Sequence, residues 1–355
     1  MITDIMQIKT QKTAKSKIQN IDWKNLGFGK HFSDHVFIAD YNNNQWENAR
    51  IIPYGDMLMS PATSALHYGQ SIFEGMKAYK MDNNGVGIFR PYSNYKRLNI
   101  SAKRMAMPDV AEEIFMEGIL QLVRLDSEWV PKEDGSALYI RPLYMGTDEY
   151  IGVKASDSYQ LIILTCPVGR YYNEPLKVYV ETNYIRAVEG GVGFVKASGN
   201  YGRSLYPTKL ANAKGYHQVI WTDATHHRYV EESGTMNLMF VIDVTLITPP
   251  TGDTILAGIT RDSVLTIAKD WKMKVEERKI SLDEIIDAHK KGTLQEAFGC
   301  GTAATIANIK LIGFEEKDYE LPPITEKGFA ARVLNELNNI RKGRAADIHN
   351  WMYRI

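Results

Sequence analysis

One lysine, Lys196, sits among five glycines in the segment GGVGFVKASGNYG, Gly190 to Gly202. A lysine that acts as an amine nucleophile needs its charged form disfavoured, by desolvation or by a nearby cation. A glycine-rich wall also lets a flat ring approach the backbone closely. The segment therefore reads either as such a site or as a flexible loop carrying an ordinary exposed lysine. Further along, Glu231-Glu232-Ser233-Gly234-Thr235-Met236-Asn237 lies between two apolar runs. A carboxylate at a strand end can bond a buried ring nitrogen, and the small polar residues after it leave backbone N–H groups for an anion. A hairpin turn with an exposed acidic pair is the competing reading. Two more segments suit phosphate. Gly258-Ile259-Thr260-Arg261 sits where a helix starts, and free N–H groups and the helix dipole favour an anion there. Gly299-Cys300-Gly301-Thr302-Ala303 offers glycines and a hydroxyl in a short anion-cradling pattern. Each feature is commonplace alone. A lysine, a placed carboxylate and two phosphate turns together form the requirement list of pyridoxal phosphate (PLP).

Other chemistries lack their signatures. The Gly29-Lys30 pair is followed by His31, so there is no P-loop, and no G-x-S-x-G elbow occurs. His226-His227 falls in an expected turn without metal-ligand spacing. Lys plus Arg number 42 and Asp plus Glu number 42, a balance without the electrostatic footprint of a nucleic-acid or anionic-membrane partner. Small molecules are the expected partners. No run of 18 apolar residues is present, so no membrane span is expected. Two cysteines, Cys166 and Cys300, exclude a disulfide framework and fit a reducing compartment. The start, MITDIMQIKTQKTAKSKIQN, has lysines but no apolar core of a secretion signal, and a cytoplasmic location is expected.

These groups need a scaffold, and 355 residues suffice for two domains. Strands are expected at His35–Tyr41, Gln160–Val168, Leu176–Glu181, Gln218–Thr222, Tyr229–Glu232 and Leu238–Ile242. Ala65–Lys80 has helical character, and Pro91 opens a helix. Phe115, Ile119 and Val123, four apart, mark another over 110–124. Helices are also expected from Thr260, from the SLDE capping box at Ser281, and over 325–341. The turn-rich GRYYNEP, 169–175, is the expected interdomain loop. It separates a smaller domain over 26–168, preceded by a loose polar arm over 1–25, from a larger one over 176–355. The fold class is α/β (mixed α+β), with mainly antiparallel sheets and flanking helices.

In order, these segments resemble the branched-chain amino acid aminotransferases, of fold type IV among PLP enzymes. The match runs from about Gly27 to Trp351 and includes FGKHFSDH, LHYGQSIFEGMKAY, FRPYSNYKRL, YIRP, GGVGFVKASGNYG, EESGTMN, GITR, GCGTA and HNWM. The resemblance implies reversible amino-group transfer between leucine, isoleucine or valine and 2-oxoglutarate, giving branched 2-oxo acids and glutamate. It implies that Lys196 holds PLP and moves the substrate's Cα proton, and that Glu232 pairs with the pyridine nitrogen. Tyr201 would bond the ring oxygen, and Arg97, the Ile259-Thr260 turn and Thr302 would bind the phosphate. Backbone near Thr235 and Ala303 would meet the substrate's α-carboxylate. Phe28, Tyr68, Phe73, Tyr139 and Tyr201 would shape the side-chain pocket, with Arg141 for the side-chain carboxylate of glutamate. Tyr68 and the Ile151–Val153 loop would come from a second subunit, which implies a homodimer. A D-amino acid aminotransferase and an aminodeoxychorismate lyase are the alternatives within the fold type; a non-catalytic binding protein is the alternative outside it.

Overall fold

The computed structural model of the chain describes residues 7–355, which form two compact units. The first comprises the chain up to Tyr171, with Val195–Ser198 and Asn339–Ile355; the second comprises Tyr172–Phe194 and Gly199–Asn338. The passage at Tyr171 lies within the expected joining loop, 169–175. The expectation of one unbroken domain over 176–355 is corrected in two places. Ala197 makes an antiparallel bridge to Ile72, and the strand Met352–Arg354 pairs with Val86–Phe89. Both pairings join residues far apart in the chain, and local periodicity carries no signal for them.

The first unit is built on one sheet. Its strand order is Lys9–Thr10, Gln45–Pro53, His35–Asn42, Tyr159–Val168, Ala137–Gly146, Met76–Lys80, Val86–Phe89 and Met352–Arg354, with Ser71–Phe73 also paired to Ala137–Gly146. The expected arm is corrected for its described part. Lys9 and Thr10 pair in parallel with Arg50 and Ile51, and the Thr13 N–H donates to His35 Nε2 at 2.9 Å. Its first six residues lie outside the described ones. The helices Pro91–Arg104 and Glu112–Leu125 form where proline and the apolar spacing place them. The second buries Phe115, Ile119, Leu122 and Val123, and Gly118 lets it approach Phe37, whose ring lies 2.8 Å from where a Cβ would stand. Burying a side chain such as Phe115 contributes ~1.5–3 kcal/mol.

The helical expectation over 65–80 is corrected. Only Ser64–Tyr68 is helical; Gly69 ends it with φ 68, and the strands Ser71–Phe73 and Met76–Lys80 follow. Met76, Lys77 and Ala78 pair with Ile140, Tyr139 and Leu138, so sheet pairing overrides local propensity.

In the second unit six strands close on themselves. Val230–Ser233, Gln218–Thr222, Leu176–Glu181, Thr305–Phe314, Leu294–Gly301 and Met236–Ile242 are each hydrogen-bonded to the next, and the last pairs back to the first. Closure removes exposed edges. The interior packs Val178, Ile220, Leu238, Phe240 and Ile309, among others. Most pairings in both sheets are antiparallel, as expected, with parallel ones at Lys9–Thr10, at Leu176–Glu181 and between Thr245–Thr248 and Val275–Glu277. The helix Ile259–Asp270 begins at Gly258, and Leu282–Lys290 begins at Ser281, whose side chain accepts from the Glu284 N–H at 3.1 Å. Among the described residues no helix is long and apolar enough to cross a membrane.

Candidate functional site

The expected site residues fall into two groups, one in each unit. Lys196, Phe28, Tyr68, Phe73, Arg97, Tyr139, Arg141, Ile151 and Val153 belong to the first; Tyr201, Glu232, Thr235, Ile259, Thr260, Thr302 and Ala303 belong to the second.

In the first unit Lys196 is fixed through its backbone. Its N–H donates to Ser101 Oγ at 3.0 Å, and its carbonyl accepts from the Phe73 N–H at 3.1 Å. Its half-buried ammonium stands over the Phe73 ring, 4.8 Å from the centroid. The Arg141 guanidinium lies 4.4 Å from the same ring and 5.2 Å from that of Tyr139, whose hydroxyl accepts from Nη2 at 3.0 Å. Phe28 packs edge-on against Tyr139 at 5.0 Å and Tyr171 at 4.9 Å. The result is an aromatic wall holding one cation, and the buried Nε of Arg141 has no hydrogen-bond partner. Gly75 is needed beside this wall, because a Cβ there would overlap the Tyr139 hydroxyl.

Arg97 has an immediate partner that sequence reasoning missed. Its Nε and Nη2 donate to Glu74 Oε1 and Oε2 at 2.7 and 2.8 Å, a bidentate pair with Glu74 fully buried. Asn94 adds a bond to the same carboxyl at 2.7 Å. Burial pushes the Glu74 carboxyl up, but Arg97 above all, with Lys196 and Asn94, holds it below the ordinary 4.5. Glu74 thus stabilises the fold at pH values above 4.5, and that contribution is lost as pH falls through its lower folded value. Glu74→Gln, which leaves Arg97 buried without its counter-charge, is expected to cost roughly 3–5 kcal/mol in urea unfolding at pH 7. It should also flatten the acid side of the stability profile; a loss under about 1 kcal/mol would sink this account of the pair.

Tyr68, Ile151 and Val153 are exposed, unlike buried Tyr139. They are 42%, 70% and 91% exposed, beside Leu66 at 64%.

The second unit places Glu232 at the end of its strand, 3% exposed. Arg186 Nε lies 2.7 Å from Oε2, and the Leu256 N–H and Asn237 Nδ2 donate to Oε1 at 2.9 and 3.2 Å. Arg186 is itself held by the carbonyls of Thr254 and Gly193 at 2.7 and 3.1 Å. Local sequence carries no signal for it, since a single arginine in NYIRAVEGG has no distinguishing pattern. Tyr201, Asn200, Ser204, Gly234 and exposed Thr235 line a small pocket with Glu232 and Arg186. The competing hairpin reading of EESGTMN was half right: Val230–Ser233 and Met236–Ile242 do form a hairpin, but both acids are buried.

The Ile259–Asp270 helix has Gly258 at its N-cap with no side-chain cap, and Ile259 and Thr260 occupy its first turn, buried. A Cβ on Gly258 would overlap Asn237 Oδ1, so glycine is required there. Thr302 and Ala303 follow the Leu294–Gly301 strand, half-buried. Cys300 is fully buried, and burial pushes its thiol up to about 12. Among the described residues no cluster of His, Cys, Asp and Glu could hold a metal ion.

Each unit by itself offers groups that PLP chemistry needs: an amine, Lys196, in the first, and a charge-balanced buried carboxylate, Glu232, with a tyrosine, Tyr201, in the second. The amino-transferase class IV family model matches residues 71–312. The chain is 41% identical over 359 residues to branched-chain-amino-acid aminotransferase 2 of Bacillus subtilis, covering 100% of this chain and 98% of that one. Among solved structures, the branched-chain aminotransferase of Thermoproteus uzoniensis with norvaline superposes with TM-score 0.74 at 25% identity, covering 90% of this chain and 99% of that one. A branched-chain amino acid aminotransferase from T.th., complexed with N-(5'-phosphopyridoxyl)-L-glutamate, gives 0.73 at 25% identity, over 93% of this chain and 98% of that one.

Proposed function

The chain belongs to the amino-transferase class IV family, and on that premise we propose that it exchanges amino groups between branched-chain L-amino acids and 2-oxoglutarate with PLP as cofactor. The observation that carries the reading is Glu232, buried with its charge balanced by Arg186, in the segment where the family resemblance requires a carboxylate. When bound, the cofactor supplies a carbonyl for amine exchange and a ring that accepts the electron pair released at Cα.

The protein's own groups then have distinct tasks. Lys196 would hold the cofactor, and its Nζ would take the Cα proton of the substrate. Glu232 keeps a proton on the ring nitrogen, and Arg186, Asn237 and Leu256 fix its carboxylate in place. Tyr201 bonds the ring oxygen. The helix start at Ile259 and Thr260, Thr302 and Arg97 are the groups that the family resemblance assigns to the phosphate. Thr235 and Ala303 receive the α-carboxylate. Phe28, Phe73, Tyr139 and Tyr201, with Tyr68 from a second subunit, are the groups that the resemblance assigns to the hydrocarbon side chain, and Arg141 would receive the second carboxylate of glutamate. Support for that last role is its buried Nε, which has no protein acceptor.

A competing substrate class within the fold type is tested directly. Turnover with L-leucine, D-alanine and aminodeoxychorismate, read alongside the visible absorbance of the bound cofactor, should favour L-leucine by at least roughly 100-fold, since an apolar pocket and a fixed hand reject the others together. Preference for D-alanine would overturn the pocket assignment. Ranking among leucine, isoleucine and valine turns on ~1–3 kcal/mol per methylene.

We also propose a homodimer that covers Leu66, Tyr68, Ile151 and Val153, large apolar side chains that are each exposed. Sedimentation should give twice 40.3 kDa, and Val153→Asp with Ile151→Asp should shift it toward the monomer. An unchanged dimer would place the interface elsewhere. A cytoplasmic location is part of the same reading, supported by two unpaired buried cysteines and tested by cell fractionation.

A further inference from the structure

Successive residues of a strand face opposite sides, and Glu231 and Glu232 are neighbours in Val230–Ser233. Glu232 lines the small pocket with Arg186 and Tyr201, whereas Glu231 lines a different cavity of the second unit, about 450 Å³ in volume. Glu231 is 7% exposed, and its buried Oε2 has no hydrogen-bond partner. A buried oxygen left unsatisfied in this way is unfavourable unless a ligand supplies a donor.

The walls say what kind of donor. Pro249, Pro250 and Ile255 are apolar, and Tyr229 contributes an aromatic ring. The other acids of the cavity are already engaged or lie at its rim. Asp223 accepts from the N–H groups of His226, Arg228 and Tyr229 at 2.9, 2.8 and 2.7 Å, and exposed Asp253 accepts from that of Gly190 at 2.9 Å. Glu189 and His226 are exposed, and Lys279 stands over the Tyr229 ring at 5.6 Å. Glu231 is thus the buried acid, flanked by apolar and aromatic surface.

We propose that this cavity binds a small organic ammonium ion, its N–H on the Glu231 carboxylate and its hydrocarbon body against Pro249, Pro250 and Ile255. Burial pushes the Glu231 carboxyl up to about 7, with Glu232 and Asp223 adding to the rise and Thr254 and Arg186 opposing it. A bound cation needs the ionised form, so binding strengthens as pH rises through 7. Thr254 links this carboxyl to the neighbouring site: its side chain bonds Glu231, and its carbonyl accepts from Arg186, the partner of Glu232. An effect of the ligand on turnover rests on the reading of Glu232 given above; the binding does not.

The test is calorimetric titration of the PLP-loaded enzyme with N,N-dimethylbutylamine, a tertiary amine unable to condense with the cofactor's carbonyl. One saturable site is expected at pH 8. Affinity should be about tenfold weaker at pH 6, because the ionised fraction of a group titrating near 7 falls from roughly nine-tenths to one-tenth. Glu231→Gln should weaken binding at pH 8 at least about tenfold and remove the pH dependence, which separates Glu231 from the rim group His226. Tyr229→Leu should weaken binding several-fold and keep the pH dependence. Absence of saturable binding, equal affinity in Glu231→Gln, or competition by L-leucine would each overturn the proposal. If Glu231→Gln does not fold, equal affinity of the unaltered enzyme at pH 6 and pH 8 overturns it.

Discussion

Lys196→Ala is expected to lower kcat by roughly 10⁴-fold or more, removing both the covalent hold on the cofactor and the group that moves the Cα proton. Stability should hardly change. The backbone bonds of residue 196 to Ser101 and Phe73 survive the substitution, the ammonium over the Phe73 ring contributes ~0.5–1 kcal/mol, and Glu74 keeps Arg97 as its bidentate partner when the attraction of Lys196 is lost. That contrast makes the result diagnostic, since a misfolded variant would lose both. Borohydride treatment of the unaltered enzyme should fix cofactor mass to the peptide containing Lys196, and the variant should carry none. Added methylamine should restore part of the turnover by standing in for the missing amine. Near-normal turnover without it would refute the assignment.

Glu232→Gln is expected to lower kcat by about 10²–10³-fold, because a neutral amide cannot keep a proton on the ring nitrogen where charge develops. Here stability should fall too. Arg186 is 6% exposed and would face a neutral partner, a loss of roughly 3 kcal/mol, moderated by its bonds to Thr254 and Gly193. Adding Arg186→Met to Glu232→Gln separates the two effects. Replacing both members of a buried pair by uncharged groups is often neutral, so urea unfolding should recover at least half the lost stability. Turnover should stay low in the double variant. Recovery of kcat together with stability would mean that Glu232 acts only through the fold.

Much of this was legible in residue order. Glycine spacing around Lys196, the EESGTMN run and the GITR start are local patterns, and their chemistry follows from residue type and from helix or strand ends. The helices Pro91–Arg104, Glu112–Leu125 and Leu282–Lys290 were equally readable, because a proline start, a four-residue apolar repeat and a capping box act within a turn or two. Tertiary structure decided what depends on distant partners. It turned Ser71–Phe73 and Met76–Lys80 into strands against Ala137–Gly146, and drew Val195–Ser198 and the C-terminal strand into the first unit. It also chose the counter-charges: Glu74 for Arg97 and Arg186 for Glu232, pairs separated by 23 and 46 positions. The sequence alone therefore offered candidate groups for the chemistry. Only the fold determined which charges are buried and what balances them, because desolvation and ion pairing depend on neighbours that strand pairing brings together.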